Sequence, residues 1–126
     1  MYCFELPFPP SNNTYYRHVD NKVVLSKKGR AYKKEVAQLL EALGLAGLQL
    51  CDPLICRLEL YRGDKKVIWD SDNYFKGVYD ALSGAKFWLD DSLVVESQAR
   101  KMPHDGRARV IVRVDHDMEL SFEGEL

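Results

Sequence analysis

The sequence predicts one small α/β domain, more narrowly α+β, in which a single mixed β-sheet packs with two α-helices. Three observations carry that prediction. A chain of 126 residues with 46% apolar content can build one compact core but not two ordinary domains. Segments 54–61 and 107–114 alternate apolar with polar side chains, the period of a half-buried strand. Two further segments, opening at Ser26 and Asp72, repeat apolar residues at spacings of three and four, the period of a helix. The resulting order is β, short hairpin strand, α, β, α, β, β, a sandwich of sheet and helices with the strand order left open.

Residues 2–6 read as a first strand, halted by Pro7-Phe8-Pro9-Pro10 because proline donates nothing to a ladder. Ser11-Asn12-Asn13 continues as a loop, since short polar side chains bond their own backbone in turns. Asp20-Asn21 turns a small hairpin whose return strand holds Val23, Val24 and Leu25. Ser26 then caps a helix to about Leu43, with Tyr32, Val36, Leu39, Leu40 and Leu43 on one face and Gly44 and Gly47 ending it. Its first turns hold Lys27, Lys28, Arg30, Lys33 and Lys34, a crowding that the helix dipole disfavours and an anionic partner would reward.

The strand at 54–61 sets Leu54, Cys56, Leu58 and Leu60 on the better-buried face. A helix over 72–83 places Phe75, Val78, Tyr79 and Leu82 at i, i+3, i+4 and i+7, and Gly84 closes it. Strands over 93–102 and 107–114 come last, joined by the turn Pro103-His104-Asp105-Gly106. The final strand has one apolar face and one carrying Arg107, Arg109 and Arg113, as where a sheet meets solvent or phosphate.

No apolar run reaches the roughly 18 residues of a membrane span, and the N-terminus lacks the pattern of a secretory leader, so a soluble cytoplasmic protein is expected. Cys3, Cys51 and Cys56 lack a metal-knuckle or disulfide spacing and are expected as reduced core thiols. The net charge is -1, yet the acids are uneven. All 18 basic residues precede position 115, against 14 of the 19 acids, so residues 1–114 carry +4 and residues 115–126 form an acidic tail, expected to be disordered. That balance permits nucleic-acid binding, and equally permits ordinary solvated faces.

The chemistry concentrates in Asp70-Ser71-Asp72-Asn73-Tyr74-Phe75-Lys76 and in Asp90-Asp91. Carboxylates brought together there repel one another unless a cation joins them. Magnesium fits best, as a hard ion that carboxylate oxygens hold at about 2.0–2.1 Å; zinc lacks a His/Cys set. Such a site suits phosphodiester hydrolysis, with Lys76 offsetting charge that develops on the phosphate. The same residues have plainer uses: Asp72 as a helix cap, Lys76 in an i, i+4 pair with Asp72 or Asp80, Asp90-Asp91 as a turn. No histidine has a Ser or Cys partner at triad spacing.

Four blocks in order make the chain resemble the RusA family of Holliday junction resolvases over about residues 4–114. They are Pro9-Pro10-Ser11-Asn12-Asn13 with Tyr15-Tyr16-Arg17-His18; Leu25-Ser26-Lys27-Lys28-Gly29-Arg30-Ala31-Tyr32; Asp70-x-Asp72-Asn73-x-x-Lys76-x-x-x-Asp80-Ala81-Leu82; and Phe87-Trp88-Leu89-Asp90-Asp91-Ser92-Leu93-Val94, leading to Lys101-Met102-Pro103. The resemblance implies that Asp70, Asp72 and Asp91 are catalytic metal ligands, Lys76 an accessory cation and Asp90 an extra ligand. It implies a homodimer that uses magnesium, or manganese in its place, to nick a four-way junction symmetrically during DNA recombination and repair, in a phage or its host. A two-fold dimer suits a substrate of approximate two-fold symmetry.

The chain departs from the family pattern just before Asp70, where Lys65-Lys66-Val67-Ile68-Trp69 replaces a run of arginines. Fewer phosphate contacts would weaken binding and flatten its salt dependence. Ile68 and Trp69 could instead stack on or wedge between bases at a branch point, or lie in a dimer interface. Candidate DNA contacts are Asn12, Asn13, Tyr15, Tyr16, Arg17, Lys27, Lys28, Arg30, Lys65, Lys66, Trp69 and Lys101. Two other functions compete: a junction-binding architectural protein without turnover, and a metal-dependent phosphoesterase acting on small molecules.

Overall fold

A computed structural model describes residues 1–119. The strands are β1 (Tyr2–Leu6), β2 (Tyr16–Val19), β3 (Lys22–Leu25), β4 (Leu54–Tyr61), β5 (Val94–Lys101) and β6 (Arg109–His116). The helices are α1 (Asn12–Tyr15), α2 (Lys27–Ala42) and α3 (Phe75–Gly84), with 3-10 turns at Ser71–Tyr74 and Asp91–Leu93. One mixed sheet runs β1-β6-β4-β5, parallel only between β4 and β5, and β2-β3 forms a separate hairpin. The fold is therefore the expected α+β domain.

Alternation made β4 legible: Leu54, Cys56, Leu58 and Leu60 are buried, as are Val110, Val112 and Val114 beside them on β6. Phe4 and Leu6 of β1 complete that face, and Tyr32, Val36 and Leu40 of α2 with Val78, Ala81 and Leu82 of α3 share its core. Each fully buried Leu or Val contributes roughly 1.5–3 kcal/mol, so this layer holds the molecule together. Leu39 and Leu43, expected on the inner face of α2, are exposed, because the buried stripe follows 32, 36 and 40.

Ser26 caps α2 as expected, accepting from the Gly29 amide at 2.9 Å, and its hydroxyl donates to the Thr14 carbonyl at 2.5 Å. Ser11-Asn12-Asn13 is not a plain loop. Ser11 accepts from the Thr14 amide at 3.3 Å and caps the single turn of α1; the polar side chains that stabilise turns also stabilise helix starts.

The segment at 102–108 makes no hairpin between β5 and β6, which flank β4 on opposite sides. The chain reaches β5 from β4 through α3, as a parallel pair requires, and then crosses the end of β4. Gly63 permits the crossing: its φ is +86°, and a Cβ there would lie 2.7 Å from the Ala108 amide nitrogen.

Two expectations fail on partners. Arg107 and the β6 arginines do not form a free basic face: Arg107 pairs with Glu5 at 3.0 Å, Arg113 with Glu59 at 3.2 Å, and Arg109 with Asp105 at 2.8 Å while stacking 3.7 Å from the Tyr61 ring centre. Acids on neighbouring segments neutralise them. Of the thiols only Cys56 is in the core, where burial pushes it up to about 12; Cys3 and Cys51 are exposed on a strand end and a loop. β6 continues through Asp115 and His116, two residues into the segment read as a tail, and residues 120–126 of that segment lie outside the described residues.

Candidate active site

Beyond Tyr61 the chain leaves the sheet, and the turn at Ser71–Tyr74 leads it into α3. Asp70 is the N-cap residue of that turn, in extended backbone, but its side chain makes no capping bond; Asp72 lies in the first turn. Both carboxylates are exposed, and so is Lys76 one turn on. None of the three forms an ion pair among the described residues. The plainer uses of Asp72 and Lys76, a cap and a helix salt bridge, are thus not taken up. Asp80, the other partner open to Lys76, instead accepts from the Tyr15 hydroxyl at 2.5 Å and pairs with Lys33 at 3.6 Å.

The second acid pair sits where the chain leaves α3 for β5. Asp90 caps the turn at Asp91–Leu93, and bonds from the Ser92 hydroxyl and amide hold its carboxyl below the usual range. Asp91 goes the other way. Partial burial raises its carboxyl first, and the negative charges of Asp90 and Asp80 raise it further. Among the described residues, no three acidic, His or Cys side chains converge on one metal position. Asp70 and Asp72 stand in solvent before the ten-residue α3, where water screens their charge, and the partly shielded Asp91 stands after it.

Asn12 braces the first turn. Its amide Nδ2 reaches the Asp72 carbonyl at 3.5 Å, and its Oδ1 is buried without a hydrogen-bond partner. Tyr15 is withdrawn from the DNA contacts expected of it, because it is fully buried and its hydroxyl serves Asp80. Tyr16 packs edge-on against it, ring centres 4.9 Å apart, half-exposed toward Asp80 and Asp91, whose charges, after burial, raise its phenol.

Asn13, Arg17, Lys27, Lys28, Arg30, Lys65 and Lys66 are exposed cations or polar groups, as a phosphate-facing rim requires. Arg30 also donates to the Leu25 carbonyl at 2.9 Å. Lys101 is committed elsewhere: its ammonium donates to the Val67 and Trp69 carbonyls at 2.8 and 3.0 Å. Trp69 is half-buried against Phe8 and Tyr74, not presented for stacking. An open groove of about 790 Å³ runs between Pro7–Ser11 and α2, with Lys28, Lys34 and Arg62 on its walls. Lys34 belongs to the basic crowding of α2 already noted in the sequence, whereas Arg62 escaped the sequence reading.

A small α+β sheet with two acid-bearing turns about one helix and a basic rim is an arrangement that a nuclease can use. The family model for endodeoxyribonuclease RusA matches residues 7–115, and the chain belongs to that family. Its relatives include the crossover junction endodeoxyribonucleases RusA of Escherichia coli and of Enterobacteria phage 82, each 40% identical over 102 residues, covering 81% of this chain and 83% of the relative. The Shigella sonnei protein of the same name is 39% identical over the same length. As a family member the chain is an endodeoxyribonuclease that hydrolyses DNA phosphodiester bonds. No helix among the described residues is long and apolar enough to cross a membrane.

The donors suit a hard divalent cation. They are carboxylate oxygens throughout, and Asp91 is crowded by like charge that a cation would relieve.

Proposed function

We propose that the chain resolves branched DNA, with the four-way Holliday junction as substrate, in recombination and repair. The observation that carries this reading is a set of uncompensated carboxylates: Asp70 and Asp72 without ion-pair partners among the described residues, and Asp91 pressed by Asp90 and Asp80. Relatives at 40% identity bear the name crossover junction endodeoxyribonuclease.

Asp70, Asp72 and Asp91, with Asp90 beside them, would hold magnesium, or manganese in its place. That ion supplies an activated water and stabilises the leaving oxygen when bound. All four side chains stand on turns at the surface. Lys76, unpaired on the helix that follows, donates to the phosphate oxygens as charge develops there. Asn12 keeps the Asp72 backbone in place. Lys27, Lys28 and Arg30 with Lys65 and Lys66 hold the phosphate backbone, and a homodimer in the cytoplasm presents two such sites to the two-fold junction.

The test compares cleavage of a labelled four-way junction with linear duplex, in magnesium and in EDTA. Paired symmetric nicks confined to the junction and to magnesium are expected. A bound but uncut junction would indicate an architectural protein, and turnover of simple phosphodiesters without junction binding would indicate a small-molecule phosphoesterase. Lys76→Ala lowers the single-turnover rate by at least about a hundredfold with an unchanged melting curve; an unchanged rate would reduce Lys76 to a surface charge.

A further inference from the structure

The loop between β4 and the Asp70 turn carries an unusual tip. Val67 is 76% exposed and Ile68 87%, the two most exposed β-branched apolar side chains among the described residues. The backbone beneath them is tied down. Lys101 donates to the carbonyls on either side of Ile68, those of Val67 and Trp69, at 2.8 and 3.0 Å. Trp69 is held in turn, with the Lys101 ammonium 5.0 Å and the Arg62 guanidinium 5.7 Å from its ring centre and Phe8 and Tyr74 edge-on against it. An apolar side chain is thus projected into solvent from a braced base.

The surroundings of the tip select its occupant. Lys65 and Lys66 are exposed beside it, Lys101 lies at its base, and Arg62 there is paired with Asp64 at 3.0 Å, so around the greasy point four cations stand against one acid of residues 62–69. A second copy of the same loop would bring cations against cations. A polyanion with an apolar interior fits, and stacked base pairs behind a phosphate backbone are one, most accessible where the stack is already interrupted.

We infer that Ile68, with Val67 behind it, inserts between base pairs at the branch point while Lys65 and Lys66 hold the flanking phosphates, setting the branch two residues from Asp70. Apolar wedges of this type unstack base steps in other DNA-binding proteins. The inference rests on the junction reading above. Of the two residues the sequence offered for this role, it keeps Ile68, which is exposed, and sets aside Trp69, which is packed.

The experiment uses the full chain with calcium as the only divalent ion, and a four-way junction carrying 2-aminopurine beside the branch. Sedimentation and thermal melting are run in parallel. The wild type raises the fluorescence several-fold, and the same probe placed mid-arm stays silent. Ile68→Ala loses most of the rise while weakening junction binding by less than about tenfold, Ile68→Leu restores it, and neither changes mass or melting temperature. An undiminished rise with Ile68→Ala, or no rise with the wild type on a junction it binds tightly, overturns the wedge and leaves the junction reading standing. A dimer dissociated by Ile68→Ala overturns it in favour of an interface. Wild-type protein that binds junction no better than duplex overturns both readings.

Discussion

The two tryptophans occupy opposite surroundings. Trp88 is fully buried, its indole N–H donates to Ser83 Oγ at 2.8 Å, and Phe87 and Tyr79 pack around it. Trp69 is half-exposed, flanked by two cations, and braces a loop with little packing of its own. The same contrast holds for the regions around them. Near Trp88 the polar groups that are buried have partners and apolar contacts decide position; around Asp70 and Asp91 position is set by a few hydrogen bonds and charges stand in solvent. Stability belongs to the first region and the proposed chemistry to the second.

The largest expected effect falls in the first. Trp88→Ala leaves a cavity beneath α3 and orphans the Ser83 hydroxyl, costing roughly 3–5 kcal/mol of the 5–15 typical of a domain. Chemical denaturation should show that loss, and cleavage should fail only as the fold does. Wild-type stability in this variant would show that the region tolerates collapse and would erase the contrast.

Asp70→Asn tests the other side. It removes a carboxylate that has no ion-pair partner among the described residues and makes no cap bond, so stability should stay within about 0.5 kcal/mol. Cleavage should be abolished, while junction binding is retained or tightened because a charge that repels phosphate is gone. Loss of binding together with a lowered melting temperature would assign Asp70 to folding.

The sequence made the first region legible and half of the second. Strand β4 and the Ser26 cap announced themselves because alternation and capping are local. The acids were legible as two close pairs, although a cap, a helix ion pair and a turn offered plainer uses for the same residues. What it could not convey depends on long-range approach. The crossing of β4 relies on Gly63 meeting Ala108, and the pinning of the 67–69 loop on Lys101 reaching 34 residues back. The β6 arginines looked free because Glu5 and Glu59 reach Arg109 and Arg113 only once the strands pair. Tyr15 read as a surface residue because its partner Asp80 is 65 residues away.

That last contact joins the two regions, and it yields the smallest and most discriminating prediction. Tyr15 is fully buried, whereas Asp80 is half-exposed, pairs with Lys33 and adds its charge to Asp91. Tyr15→Phe keeps the ring and removes one hydrogen bond to a carboxylate that water can partly replace, so the loss should be about 1 kcal/mol, below the range for fully buried charged bonds. Asp80→Asn keeps an acceptor for Tyr15 but removes the charge, and should bring the Asp91 carboxyl back toward its ordinary value, measured by carboxyl NMR titration. The two substitutions share one interaction, so the double variant should be more stable than the sum of singles predicts, by roughly 0.5–1 kcal/mol. Strict additivity, with an unmoved Asp91 titration, would mean that core and acidic rim are independent, and that the buried tyrosine does nothing to position the acids.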